Sequence, residues 1–243
     1  MSMTMKIASW NVNSLNVRLP HTLQWLEETK PDVLGIQETK LTDDKFPEAA
    51  LREAGYHSLF IGQKTYNGVA LLSREPGRDL ITAIPGFADE QKRVIAASFG
   101  DIRVINLYVV NGKAVGDEKY AYKMHWLDAV RRWVADEMHR HSKLVVMGDF
   151  NIAPDDRDVH DPAIWNDESI HSSSAERRAL AEFLDLGLSD SFRLHEHAAG
   201  HFSWWDYRQA AFRRDLGLRI DLLLISHALR ERCVAAGSMM SLL

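Results

Sequence analysis

A single cysteine, Cys233, stands in the 243 residues, so no disulfide can form within the chain and a reducing compartment is expected. No stretch approaches the roughly 18 uninterrupted apolar residues of a membrane-spanning helix. The opening MSMTMKIASW also lacks a basic segment followed by an apolar one. These absences point to a soluble cytoplasmic protein that does not engage membranes. An excess of positive charge is missing as well: 29 Lys and Arg against 34 Asp and Glu give a formal net charge of −5. That argues against a protein that grips nucleic acid through overall basicity, because phosphate neutralisation needs clustered cations. It leaves room for an enzyme whose acidic centre holds a hard cation, with basic residues placed around the cleft. Low-complexity linkers, short-period repeats and a composition shift marking a domain boundary are absent too.

What is present is an ordinary globular composition, 46% hydrophobic, in a chain long enough to bury a sizeable core. Short apolar runs at 6–9, 33–36, 57–61, 68–73, 94–99, 102–109, 143–147 and 219–225 read as strands. Amphipathic spacing at 17–29, 46–54, 119–140 and 174–185 reads as helices. Ser173-Ser174-Ala175-Glu176 has the spacing of a capping box, which predicts the start of the last helix. Most strands follow one another without an intervening helix, so mixed sheets covered by helices fit better than a doubly wound parallel sheet. The segment from Pro154 to Ser174 is the longest irregular stretch, and loops of that length are usually functional or disordered.

Four polar clusters sit at strand ends, where a rigid scaffold can aim side chains into a shared cleft. They are Ser9-Trp10-Asn11-Val12-Asn13, Gln37-Glu38-Thr39-Lys40, Gly148-Asp149-Phe150-Asn151 and Arg219-Ile220-Asp221. Singly, each has a plain reading as turn chemistry or a solvated acid. Together they supply the amide and carboxylate oxygens that Mg2+ prefers, and Mn2+ fits the same oxygen site. Such a site suits attack of water on a phosphodiester, with a carboxylate orienting the nucleophile.

The runs SWNVNSL (9–15), PDVLGIQETK (31–40), GQKTYNGVALLS (62–73), INLYVVNG (105–112), GDFNIAPDDRDV (148–159), FSWWDYR (202–208) and GLRIDLLL (217–224) make the chain resemble the exonuclease III branch of the endonuclease/exonuclease/phosphatase superfamily, which includes bacterial abasic-site endonucleases. The resemblance implies a four-layer α/β sandwich, two mixed β-sheets face to face with helices outside, as a single domain over 1–237 followed by a non-matching tail at 238–243. It implies a Mg2+-dependent DNA phosphodiesterase acting as a 3′-to-5′ exodeoxyribonuclease, with abasic-site incision as a second activity. Its partner is double-stranded DNA with 3′ ends or abasic sites, bound by a monomer. Asn11 and Glu38 are implied metal ligands, helped by Asp149 and Asn151. Asp149 is the implied base toward water, Asn151 and Tyr108 face the scissile phosphate, and Asp221 orients a catalytic histidine.

Trp204, Trp205, Tyr207 and Arg208 suit contact with DNA through aromatic faces and a cation, against the alternative that a tryptophan packs in the core. By resemblance Trp204 is the one on the pocket wall. Lys64, Tyr66 and Asn67 form a loop suited to backbone phosphate, while Gly62 and Gly68 serve its turns. His171 reads either as a solvated loop histidine or as a DNA-facing group that crowds an internal abasic site and favours a terminal 3′ nucleotide. The resembled family continues past its Arg-Ile-Asp strand to a further strand, a Ser-Asp-His triplet and a closing strand. Here the match stops at 233–237, and the final SMMSLL has neither Asp nor His. The expectation is that C-terminal strands are absent, that Asp221 lacks its usual partner, and that rate suffers by on the order of 10² to 10³. His125, His160, His171, His201 and His227 lie in no matching motif that would replace the lost group. The alternatives are a catalytically impaired DNA-binding remnant and a phosphatase of small phosphoesters; the FSWWDYR segment favours DNA.

Overall fold

The computed structural model describes residues 4–206 and 208–238. Tyr207 and residues 239–243 of the tail lie outside the described residues. The chain begins with β1 (Ile7–Asn11), α1 (Leu15–Thr29), β2 (Val33–Gln37), α2 (Glu48–Glu53), β3 (His57–Ile61) and β4 (Val69–Ser73). It continues with β5 (Arg78–Ile81), β6 (Val94–Phe99), β7 (Ile102–Tyr108), α3 (Glu118–Arg140) and β8 (Leu144–Asp149). After these come α4 (Ser174–Asp185), β9 (Leu188–Asp190), β10 (Trp204–Trp205), β11 (Gly217–Leu218), β12 (Asp221–Ser226) and α5 (His227–Arg230). Contacts divide the chain into two compact units, one running to Tyr108 and taking in Val145–Asp149, the other formed by Val109–Leu144 and the residues from Phe150 onward.

The first unit is built on two layers of strands. One is a mixed four-stranded sheet in the order β1-β2-β4-β3, with β1 and β2 parallel and β4 antiparallel to both its neighbours. The other has the order β5-β6-β7-β8, its first three strands antiparallel. β2, β4 and β6 are buried along their whole length, as expected of strands covered on both faces. Fully burying each large aliphatic side chain here stabilises the fold by roughly 1.5–3 kcal/mol. The layers meet face to face around a polar rivet. Asn106 of β7 donates through Nδ2 to the carbonyls of Ile36 and Ala70, both at 2.9 Å, and its Oδ1 accepts from Gln37 Nε2 at 2.6 Å. Gly35 permits this approach, since a Cβ there would lie 2.6 Å from Met147 Cε. On the other face of the first sheet, Trp25 of α1 meets Trp10 of β1 edge-on at 6.1 Å.

The second unit packs α3 against α4 and pairs β12 with β9 and β10 with β11, both antiparallel. α3 buries Trp126, Leu127, Val130, Trp133 and Val134 at helical spacing. α4 opens on the capping box read from sequence: Ser173 Oγ accepts from Glu176 N at 3.4 Å while Glu176 Oε2 accepts from Ser173 N at 3.2 Å. The long loop before it is ordered by its own hydrogen bonds. Asp155 caps a short 3-10 turn, and buried Asp158 lies between the guanidinium groups of Arg193 and Arg219. Sequence reasoning overlooked β5, whose Arg78, Asp79 and Leu80 are exposed, and the short β9, β10 and β11. Among the described residues no helix is long and apolar enough to cross a membrane.

Candidate active site

Register sets the first half of the chemistry. β1 and β2 are parallel with Asn11 opposite Gln37, so the sheet delivers Asn11 and Glu38 at one edge. Glu38 leaves β2 with φ at 55°, a left-handed conformation that costs a non-glycine residue roughly 1–2 kcal/mol. Such strain persists where neighbours over-determine it. Ser14 N donates to the Glu38 carbonyl at 2.8 Å, and the amides of Thr39 and Lys40 donate to the carbonyls of Gly68 and Asn67 at 3.1 and 2.9 Å. The carboxylate is thereby turned onto Asn11, whose Nδ2 donates to Glu38 Oε1 and to Asp149 Oδ2, each at 2.9 Å. One amide holds two acids together. Asn11 Oδ1 accepts from Asn13 N at 3.0 Å, which fixes the amide end facing the acids. Asn11, the expected metal ligand, meets both acids through its amide nitrogen in this structure.

Asp149 reaches this point because residue 148 is glycine. A Cβ on Gly148 would lie 1.9 Å from the Leu107 carbonyl, and its φ of 139° suits no other residue. The close approach of β8 to β7 sets Asp149 beside Tyr108. Burial and then the charges of Glu38 and Asp149 push the Tyr108 phenol far above its ordinary range, so it stays a proton donor. Burial pushes Glu38 up, but hydrogen bonds from Lys40, Asn11 and Tyr108 outweigh it and hold the carboxyl below its ordinary range. Lys40 Nζ lies 2.8 Å from Glu38 Oε2 and also donates to Asn13 Oδ1.

Sequence reasoning missed Lys40 as a functional group, although it lay within a quoted motif. Arg93, which was not singled out, is buried. Its guanidinium lies 4.6 Å over the Tyr108 ring and donates to the Tyr108 carbonyl at 3.2 Å. The signal available was a cation directly ahead of a buried apolar strand. In the nearby loop, Asn67 turns inward: its amide donates to Gln63 Oε1 at 3.0 Å and Gln91 Oε1 at 3.3 Å. It shapes the loop that leaves Lys64 and Tyr66 exposed.

The second unit gathers Asn151, His171 and Trp204. Asn151 has φ at 49° and donates through Nδ2 to the Val109 carbonyl at 3.0 Å, while its Oδ1 accepts from Asn111 Nδ2 at 3.4 Å. His171 is no solvated loop residue; it is 5% exposed. Its Nδ1 lies 2.8 Å from the Asn151 carbonyl, and a carbonyl can only accept, so Nδ1 carries the proton. The other nitrogen then accepts from Asn111 Nδ2 at 3.4 Å. Burial, reinforced by the Lys123 charge, pushes His171 down to about 4, which leaves the imidazole neutral at pH 7. Trp165 and Trp204 flank the ring at 6.2 and 6.3 Å, backed by Ala153, Val159, Leu218 and Ile220.

Trp204 is half-buried, whereas Trp205 is buried and donates to Asp215 Oδ1 at 3.2 Å. Arg208 is exposed beside Asp206 at 3.1 Å. Asp221 is held by its backbone, with Ser203 Oγ accepting from the amides of Ile220 and Asp221 at 3.1 and 3.0 Å. Of the histidines considered as replacements, His160 faces the Gly217 carbonyl at 3.2 Å and His201 pairs with Glu196 at 3.4 Å.

Among the described residues no cluster of three or more His, Cys, Asp or Glu forms a metal cage. Two carboxylates on one amide make a smaller, all-oxygen donor set. That set fits Mg2+, which typically takes one or two carboxylates and completes its shell with water and phosphate.

A model described as the endonuclease/exonuclease/phosphatase family matches residues 8–239. Exodeoxyribonuclease III of Haemophilus influenzae is 38% identical, over 96% of this chain and 92% of that protein. A 3′ phosphatase, NExo from Neisseria, solved bound to a product DNA hairpin, is 52% identical with a TM-score of 0.91, over 93% of this chain and 88% of that one. An AP endonuclease from Archaeoglobus fulgidus is 37% identical with a TM-score of 0.86, over 93% of this chain and 88% of that one.

Proposed function

We propose, from the premise that this chain belongs to the endonuclease/exonuclease/phosphatase family, that it is a Mg2+-dependent nuclease of DNA repair. It removes nucleotides and blocking groups from DNA 3′ ends and incises abasic sites. The observation that carries this reading is the single Asn11 amide on which Glu38 and Asp149 converge, with the protonated Tyr108 beside them. The similar proteins are an exodeoxyribonuclease, a 3′ phosphatase and an AP endonuclease.

Glu38 would hold the cation with Asp149 as a further donor, while Asn11 keeps the two acids at their spacing. When bound, Mg2+ supplies neutralisation of the charge that grows on phosphate oxygens. Asp149 accepts the proton of the attacking water, and Asn11 Nδ2 holds that carboxylate in place. Tyr108 donates a hydrogen bond to a phosphate oxygen, and its raised pKa keeps the proton available throughout the working range. Asn151 binds the scissile phosphate through its amide. Lys64 and Arg208 meet backbone phosphate, and Trp204 forms an apolar wall for the terminal sugar. His171, packed against Trp204, narrows that wall and favours a terminal nucleotide over an internal abasic sugar. An unchanged ratio of abasic incision to 3′ trimming in His171→Gly would remove this last assignment.

The test uses purified chain with Mg2+ and three duplexes, bearing a recessed 3′ end, an internal abasic site or a 3′ phosphate, with Glu38→Ala alongside. Hydrolysis of the recessed and phosphate-blocked ends is expected, with little in the variant. Turnover no higher than that of Glu38→Ala on all three overturns the enzyme reading.

A further inference from the structure

Two charged residues occupy positions where the helical pattern calls for apolar ones. Lys123 of α3 shares a face with Trp126, Leu127 and Val130, three, four and seven residues on. Glu176 of α4 likewise shares a face with Leu180 and Phe183, at four and seven. Both side chains are 0% exposed, and they pair with each other. Burying two ions costs several kcal/mol each, and an apolar pair of similar size often serves stability as well or better. What hydrocarbon cannot do is donate and accept hydrogen bonds.

The pair does so at the candidate site. Lys123 Nζ donates to the Asn151 carbonyl at 2.8 Å and the Asn111 carbonyl at 3.4 Å. Glu176 Oε1 accepts from His171 N at 3.1 Å, and Oε2 accepts from Ser173 N at 3.2 Å and Ser173 Oγ at 2.6 Å. The residues gripped in this way, Asn151 and His171, have φ of 49° and 75°, where L side chains rarely rest. They are also joined to each other, since the Asn151 carbonyl accepts from both Lys123 Nζ and His171 Nδ1.

The geometry points to Lys123 and Glu176 as positioning residues that fix the Asn151 amide and the His171 imidazole for 3′-end hydrolysis. This assignment rests on the phosphodiesterase reading above. The pair is neutral as a whole and touches no substrate; its effect passes through two strained backbones.

The test compares wild type, K123M/E176Q and E176Q. The double variant leaves no buried charge and keeps side-chain volume, and E176Q keeps the shape of the helix cap. Three readouts are taken: thermal unfolding, kcat and KM on a recessed 3′ end, and the imidazole nitrogen resonances of His171. The double variant is expected to fold, to lose about 10- to 100-fold in kcat, and to change KM by less than about threefold. Its His171 resonances move from a fixed Nδ1–H tautomer toward an average of the two tautomers. E176Q shifts both kcat and the resonances in the same direction, by less. Wild-type kcat in a folded double variant, or His171 resonances that stay fixed there, overturns the assignment. Should the double variant fail to fold, the same two readouts on E176Q decide. A wild type without turnover defeats the nuclease reading alone, and the His171 resonances still report whether the pair sets the imidazole.

Discussion

The two units each hold a cluster of charge and treat it in opposite ways. In the first, Glu38 and Asp149 crowd onto the Asn11 amide, two negative charges with the Lys40 ammonium set against Glu38. In the second, Lys123 and Glu176 cancel and their hydrogen bonds run into backbone. A cluster with surplus negative charge is relieved by a divalent cation, and the resulting field can act on a phosphate. A closed pair with no net charge attracts no cation and serves geometry. The difference separates residues that do chemistry from residues that hold others in place.

The largest effect expected from breaking this comparison is at the acid. Asp149→Asn keeps the Asn11 contact but loses the proton acceptor, and kcat on a recessed 3′ end is expected to fall by on the order of 10³ in steady-state assays. Glu38→Ala removes a donor from the cation site. The Mg2+ concentration for half-maximal rate is expected to rise by at least about tenfold, and chelation of wild type should abolish turnover until Mg2+ is returned. Tyr108→Phe removes a single donor and should cost about 10- to 100-fold in kcat. Because the phenol pKa is raised, wild-type activity should show no loss from Tyr108 ionisation as pH climbs to about 10.

The smallest effect concerns stability. The His171 pKa is lowered in the fold to about 4 from 6.5, so between those values the unfolded chain binds more protons than the native one. Stability from this group is complete above 6.5 and is lost as pH falls toward 4. Wild type should lose about 2 kcal/mol more than His171→Asn between pH 7 and pH 5 in urea unfolding. Asparagine is the replacement because it tolerates the left-handed backbone at this position.

Much of the first cluster was legible in the sequence, since Glu38 and Asp149 follow short apolar runs and strand ends are where a sheet presents side chains. The Ser173–Glu176 capping box was legible because it is local. β5 was not, because an exposed edge strand reading Arg-Asp-Leu-Ile carries no apolar alternation. The inward turn of Asn67 rests on Gln63 and also on Gln91, 24 residues away, so a local pattern carries only part of it. Lys123 and Glu176 did leave a trace, as charges on the apolar stripes of their helices. A lysine or glutamate on a helix ordinarily reads as solvated, and its burial becomes visible only when its partner 53 residues away is known.

Titration of Mg2+ into wild type and Glu38→Ala by calorimetry, without DNA, tests most directly whether the surplus charge at Glu38 and Asp149 makes a cation site. Saturable heat in wild type that is lost or strongly weakened in Glu38→Ala is the expected result. Equal binding by the two proteins, or no binding by wild type at millimolar Mg2+, contradicts it.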